Sequence, residues 1–219
     1  MKKTLLVLAM GVTFLMFSCK PEKEDNNSNE VISEPTTGII NGHEWVDLGL
    51  PSGLKWATCN VGANAPKEYG GYYAWGETET KTEYTEDNSF TDGEEMNDIS
   101  GDSQFDAATV NWGGSWRMPT KEEIDELVEN CTSTWVTQDS VNGYKIVGTN
   151  GNSVFFPAAG YCFGSLLYDV EYYGNYWSST PDKDSCYYGD AYSFFFNNAS
   201  ESVGDYYRGL GQTIRPVSD

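Results

Sequence analysis

Between Glu77 and Asp106 the chain sets eleven acids against a single lysine. Within that run Asp98, Ser100, Asp102, Gln104 and Asp106 place an oxygen-bearing side chain at every second position. Oxygen ligands on a loop are what calcium takes, so Asp98, Asp102 and Asp106 are candidate calcium ligands. The register of an EF-hand loop is missing, since the glycine falls at the fourth position (Gly101) and Thr109 occupies the twelfth. That failure favours the plainer alternative, a solvated acidic loop in which Asp106 caps a helix. A second concentration lies between Tyr168 and Tyr188, with Asp169, Glu171, Tyr172, Tyr173, Tyr187 and Tyr188. Rings pack on the C–H faces of sugars while nearby carboxylates accept their hydroxyls, so these six are candidate ligands for a glycan or a protein surface. Consecutive strand residues face opposite sides, so in each Tyr-Tyr pair at most one ring turns inward.

The remaining chemistry is bounded by what the chain lacks. One histidine, His43, leaves almost no material for a His-based zinc site or a Ser-His-Asp triad. No P-loop, G-x-G-x-x-G or G-x-S-x-G string occurs. With 33 acids some carboxylate pair always exists, so none is informative as a glycosidase dyad. A formal charge of -20 excludes binding nucleic acid by phosphate neutralisation and docking on an anionic membrane through a basic face. Aromatics at 15% of residues are ample for a folded core. Cys59, Cys131, Cys162 and Cys186 allow three pairings, of which Cys59–Cys131 and Cys162–Cys186 are the expected ones. No C-x-x-C spacing occurs, so neither a zinc ribbon nor a thioredoxin-like redox pair is supported.

Local signals indicate which elements must carry these groups. Thr120-Lys121-Glu122-Glu123 is a capping box, and Ile124, Leu127, Val128 and Cys131 follow at one face's spacing. A shorter helix is expected from Asp106. Trp135–Gln138, Tyr144–Val147, Val154–Phe156, Ala191–Phe196 and Gln212–Val217 are β-prone, and Asn142-Gly143 and Asn150-Gly151 are expected as tight turns. Trp177 is expected in the core, and Arg117 and Arg215 in a buried ion pair or a carbonyl clamp. Two helices on a mostly antiparallel chain make an α+β domain.

The N-terminus reads as an address. Met1-Lys2-Lys3 precedes an uncharged apolar run, Thr4–Phe17, too short to span a bilayer as a helix. It ends Met16-Phe17-Ser18-Cys19, which resembles a bacterial lipobox. Residues 1–18 are therefore expected as a lipoprotein signal peptide, 19–37 as the lipidated Cys19 with a flexible acidic tether, and 38–219 as one domain. The Lys-Pro-Glu-Lys-Glu-Asp run after Cys19 resembles the export signal of Bacteroidetes surface lipoproteins. The outer membrane, facing outward, is the expected location, with a periplasm-facing anchor as the alternative.

Five strings in order resemble the Fibrobacter succinogenes major paralogous domain. They are Val46-Asp47-Leu48-Gly49-Leu50-Pro51-Ser52-Gly53-Leu54-Lys55-Trp56-Ala57, Gly71-Tyr72-Tyr73-Ala74-Trp75-Gly76-Glu77, Trp116-Arg117-Met118-Pro119-Thr120, Tyr176-Trp177-Ser178-Ser179-Thr180 and Ile214-Arg215-Pro216-Val217. The resemblance implies a C-type-lectin-like fold of the formylglycine-generating-enzyme branch, with short antiparallel strands and two helices. It carries no activity. The cysteine pair of the enzymatic relatives near the C-terminus is absent, as are the Glu-Pro-Asn and Gln-Pro-Asp triplets of calcium-dependent lectins. The expectation is a cell-surface lipoprotein, not an enzyme, that binds an extracellular glycan or surface protein. Its membrane contact would be the lipid anchor alone, with no cofactor unless calcium. An oxidoreductase of the formylglycine-generating type and a structural envelope or fimbria-associated subunit are the alternatives.

Overall fold

In the computed structural model the described residues are 36–185 and 188–219; the segment expected as a signal peptide, Cys19, most of the segment expected as a tether, Cys186 and Tyr187 lie outside them. The elements in chain order are β1 (Thr37–Ile40), β2 (His43–Asp47), β3 (Lys55–Ala57), α1 (Ala107–Trp112), α2 (Lys121–Asn130), β4 (Thr132–Gln138) and β5 (Val141–Val147). There follow β6 (Ser153–Pro157), β7 (Tyr161–Phe163), β8 (Leu166–Tyr168), β9 (Tyr173–Pro181), β10 (Asp190–Asn197), β11 (Glu201–Tyr207) and β12 (Val217–Ser218). The strands pair antiparallel in four small sheets, β1-β2-β3-β12, β11-β10-β9, β4-β5-β6 and β7-β8, giving the expected α+β architecture. Thr37 already belongs to β1, so the tether ends sooner than its composition suggests.

Both helices start where their caps dictate. The Asp106 carboxylate accepts from Thr109 N at 2.9 Å, and α1 stops at Gly113, whose φ of 63° ends the helical path. Thr120 and Glu123 form the reciprocal capping box that starts α2. Its Ile124 and Leu127 are buried, with Val128 and Cys131 packed beside them. The Glu123 carboxylate also takes Arg117 in a two-pronged ion pair at 2.8 and 2.6 Å, as expected for Arg117.

One expected turn is corrected. Asn142 and Gly143 lie inside β5, and the β4–β5 turn is made by Asp139 and Ser140 at φ of 50° and 69°. Gly143 serves close approach instead, because a Cβ there would meet the Phe156 carbonyl of β6 at 2.2 Å. Asn150-Gly151 does turn the chain from β5 to β6, with Gly151 at φ 86°.

The β9–β10 pair is buried on two sides. Alternation sends Tyr176, Phe194 and Phe196 into one core with Trp56, Phe156 and α2, and Trp177 and Ala191 into another with Trp75, Trp116 and Ile214. Trp177 is thus a core residue, as expected, with its indole N–H on the Tyr73 carbonyl at 2.9 Å. The C-terminal segment closes the structure: Gln212 bridges to Tyr73, Thr213 to Tyr176, and Val217 pairs with Trp56 and Arg117. Cys59 and Cys131, expected as a pair, are not bonded to each other in this structure. Both are free thiols, Cys59 packed against the second core and Cys131, at the end of α2, against the first. The Cys162–Cys186 pair falls partly outside the described residues.

Candidate functional site

The three acids of the calcium candidate are each committed to nearby N–H or O–H donors rather than converging on one point. Asp98 accepts from Ser100 N and the Thr180 hydroxyl at 2.9 and 2.5 Å, and Asp102 accepts from Gln104 N at 2.7 Å. Asp106, fully buried, takes Gly101 N, Met118 N and Thr109 N. Among the described residues no three His, Cys, Asp or Glu side chains converge as a metal site. Asp106 as a helix cap is the reading that holds, although its carboxylate is buried rather than solvated.

The tyrosine cluster divides. Tyr172 and Tyr173 precede and open β9, whereas Tyr188 follows its far end. Nine residues at about 3.3 Å per residue set those ends roughly 26 Å apart. Tyr188 is 40% exposed beside the loop that carries Asp92, and its neighbour Tyr187 lies outside the described residues. Tyr172 is 71% exposed while Tyr173 is half-buried, in line with one ring of the pair turning inward.

The Asp169–Tyr172 loop between β8 and β9 is held in a costly shape. Asp169 and Glu171 both have left-handed backbones, at φ of 58° and 69°. The Asp169 carbonyl accepts from Tyr173 N at 2.9 Å, and Glu171 N donates to the Ala158 carbonyl at 2.8 Å. The Glu171 carboxylate accepts from Asn142 N at 2.8 Å and from the Tyr69 hydroxyl. Burial first, then this carboxylate, keeps the Tyr69 phenol protonated. Glu171 is therefore a fastener for the loop rather than a free ligand. Asp169 is exposed and makes no side-chain hydrogen bond among the described residues, leaving its carboxylate open.

Two adjoining grooves flank this loop. One, of about 430 Å³, runs between Trp135 and Asn142 of the β4–β5 hairpin, Tyr172, and the Asn197–Ala199 turn. The other, of about 510 Å³, lies over the outer face of β9-β10-β11, under the β7–β8 hairpin. Tyr173 stacks on Phe195 at 5.3 Å and Phe195 on Tyr206 at 6.1 Å; Tyr161, Phe163, Leu210 and Asn175 complete the lining. Asp169 and Tyr173 line both grooves. Sequence reasoning missed Phe195, though a signal existed. In Phe194-Phe195-Phe196 alternation sends two rings to the core, so the third must face outward.

His43, Glu44 and Cys59 line a separate cavity of about 300 Å³. His43 stacks flat on Trp112 at 3.7 Å, and burial lowers its pKa, keeping the ring neutral at pH 7. Burial raises the Cys131 thiol from 9.0 to about 11. The thiolate fraction then falls about 100-fold, offset in part by the higher nucleophilicity of a more basic thiolate. Iodoacetamide at pH 8 should accordingly label Cys131 about tenfold more slowly in the folded chain than in urea. Equal rates, read by mass spectrometry of the labelled peptide, would show this thiol to be activated.

Comparison with protein-family models, curated proteins and solved structures finds no match to this chain.

Proposed function

We propose that this chain is a lipid-anchored surface protein whose domain binds an extracellular glycan along the paired grooves. The observation that carries the reading is the aromatic lining joined to an open carboxylate: Tyr172, Tyr173, Phe195 and Tyr206 offer apolar surface, and Asp169 a hydroxyl acceptor. The strained Asp169–Tyr172 loop supports it, since left-handed non-glycine residues persist where the surroundings hold them and gather at ligand sites. Cys19 as the lipid attachment point, the polar tether and the outward-facing outer-membrane location rest on the N-terminal motif. Membership of the Fibrobacter succinogenes major paralogous domain family, with its C-type-lectin-like fold, rests on the five strings in order. The small antiparallel sheets and two helices are compatible with that fold. One observation favours a protein ligand instead: Phe163, Leu166 and Leu167 stand exposed on the β7–β8 hairpin beside the groove.

The test is retention of the soluble chain from residue 20 onward on immobilised polysaccharides and mucins. Tyr172→Ala and Tyr173→Ala should each weaken binding about tenfold, about 1.4 kcal/mol. Tyr188→Ala, at the opposite end of β9, should leave it unchanged, and so should EDTA, because among the described residues no three acids converge as a metal site. Loss on EDTA treatment or on Tyr188→Ala would refute this placement of the site. Binding to mucin protein stripped of its glycans would move the reading to a protein ligand.

A further inference from the structure

Of the seven buried side-chain polar atoms without a partner among the described residues, the one belonging to a residue that lines the larger groove is on Asn175. Asn175 is 2% exposed, yet its Oδ1 has no hydrogen-bond partner among the described residues. Its backbone carbonyl is satisfied, accepting from Thr213 N and the Thr213 hydroxyl at 3.3 and 3.1 Å. A buried acceptor without a donor is costly, and native folds rarely keep one that nothing else uses. The groove lining beside this residue is mostly aromatic and aliphatic. Phe195 is its direct cross-strand partner, Tyr173 stands two residues before it on the same face, and Leu210 closes the side. Among the described residues the one carboxylate lining the groove, Asp169, is exposed to solvent.

We propose that this groove is a subsite for the acetamido group of an uncharged N-acetylated sugar, whose N–H donates to Asn175 Oδ1 while its methyl packs on Phe195 and Leu210. The proposal rests on the reading of the domain as a glycan binder and names the class of sugar. A plain hexose turns hydroxyls in every direction, and each one buried against rings without a partner weakens binding. An acetamido group needs one acceptor for its N–H and an apolar wall for its methyl, which is what this groove supplies. Its carbonyl faces the open mouth and water. Sialylated, sulfated and uronic sugars are rejected by Asp169 and by a chain carrying a net charge of -20. The adjoining groove at Tyr172 takes the next unit of the chain, since Asp169 and Tyr173 border both.

The experiment compares the N-acetylglucosamine trimer with cellotriose, and N-acetylgalactosamine with galactose, on the soluble chain from residue 20 onward. Binding is read by tyrosine and tryptophan fluorescence and by the NMR shift of the Asn175 side-chain amide. At least one acetylated sugar should bind tenfold or more tightly than its hydroxyl counterpart and move the Asn175 resonance. The near-isosteric Asn175→Leu should abolish that preference while leaving the urea midpoint equal or higher, because an unpaired buried acceptor has been removed. Acetylated and plain sugars binding equally, or an Asn175→Leu chain that keeps the preference, would overturn the subsite and leave glycan binding standing. Binding of no polysaccharide or mucin at all would overturn both. The sugar comparison uses the unaltered chain, so it decides even where the variant does not fold.

Discussion

Arg215→Ala is expected to abolish the cooperative urea transition of this protein. Arg215 is 1% exposed and spends its donors on three separate segments: Nε on Asn60 Oδ1 at 2.8 Å, Nη1 on the Ala57 carbonyl at 3.0 Å and Nη2 on the Phe155 carbonyl at 2.9 Å. Its guanidinium also lies 4.4 Å from the centre of the Phe156 ring. Truncation orphans three buried acceptors, at about 1–3 kcal/mol each, and leaves a void beside Phe156. A loss of about 5 kcal/mol or more matches the whole stability of many domains. Arg215→Lys should keep a transition at a lower midpoint, since one ammonium cannot reproduce the planar three-way fork. A midpoint for Arg215→Ala within about 1 kcal/mol of the parent would refute the clamp.

Asp106→Ala should follow it closely, at about 3–4 kcal/mol. Losing an N-cap alone costs about 1 kcal/mol. Asp106 in addition accepts from Gly101 N and Met118 N, both at 2.8 Å, tying the acidic loop and the strand-like segment before α2 to the start of α1. Three N–H groups, that of Met118 buried and those of Thr109 and Gly101 partly so, lose their acceptor together. Asp106→Asn should cost nearly as much, because its amide must turn a donor toward at least one of those N–H groups. Asp102→Ala, an exposed neighbour whose carboxylate meets only Gln104 N, should cost less than about 1 kcal/mol. Equal losses for Asp102 and Asp106 in urea titrations would show that the cluster acts as a unit, as a cation site would.

What the sequence made legible was mostly local. The Thr120–Glu123 box and the Asp106 cap act within a few residues, so their spacing alone announces them. Arg117 and Arg215 were legible for another reason: cations are scarce in so acidic a chain and each must be matched. Asn142-Gly143 misled because the same dipeptide serves two ends, a left-handed turn or room for a neighbouring strand, and only the approach of Phe156 decides. The grooves were half visible. Tyr172, Tyr173 and Asp169 stood out by type, but Asn175, Phe195 and Tyr206 meet through the register of β9, β10 and β11, which no local pattern specifies. The same limit hid the separation of Tyr188 from Tyr172, since distance along a strand is invisible until the strand's length is known. Cys59 and Cys131 paired plausibly on paper, yet two cores keep them apart.

The closing of the sheet by β12 also sets a clock. Residues 208–218 supply the Gln212 bridge to Tyr73, the Arg215 clamp and the Val217 pairing with Trp56. Until they arrive, β3 lacks its outer neighbour and two buried carbonyls lack their donor. Contacts this distant in sequence favour refolding in milliseconds to seconds rather than microseconds.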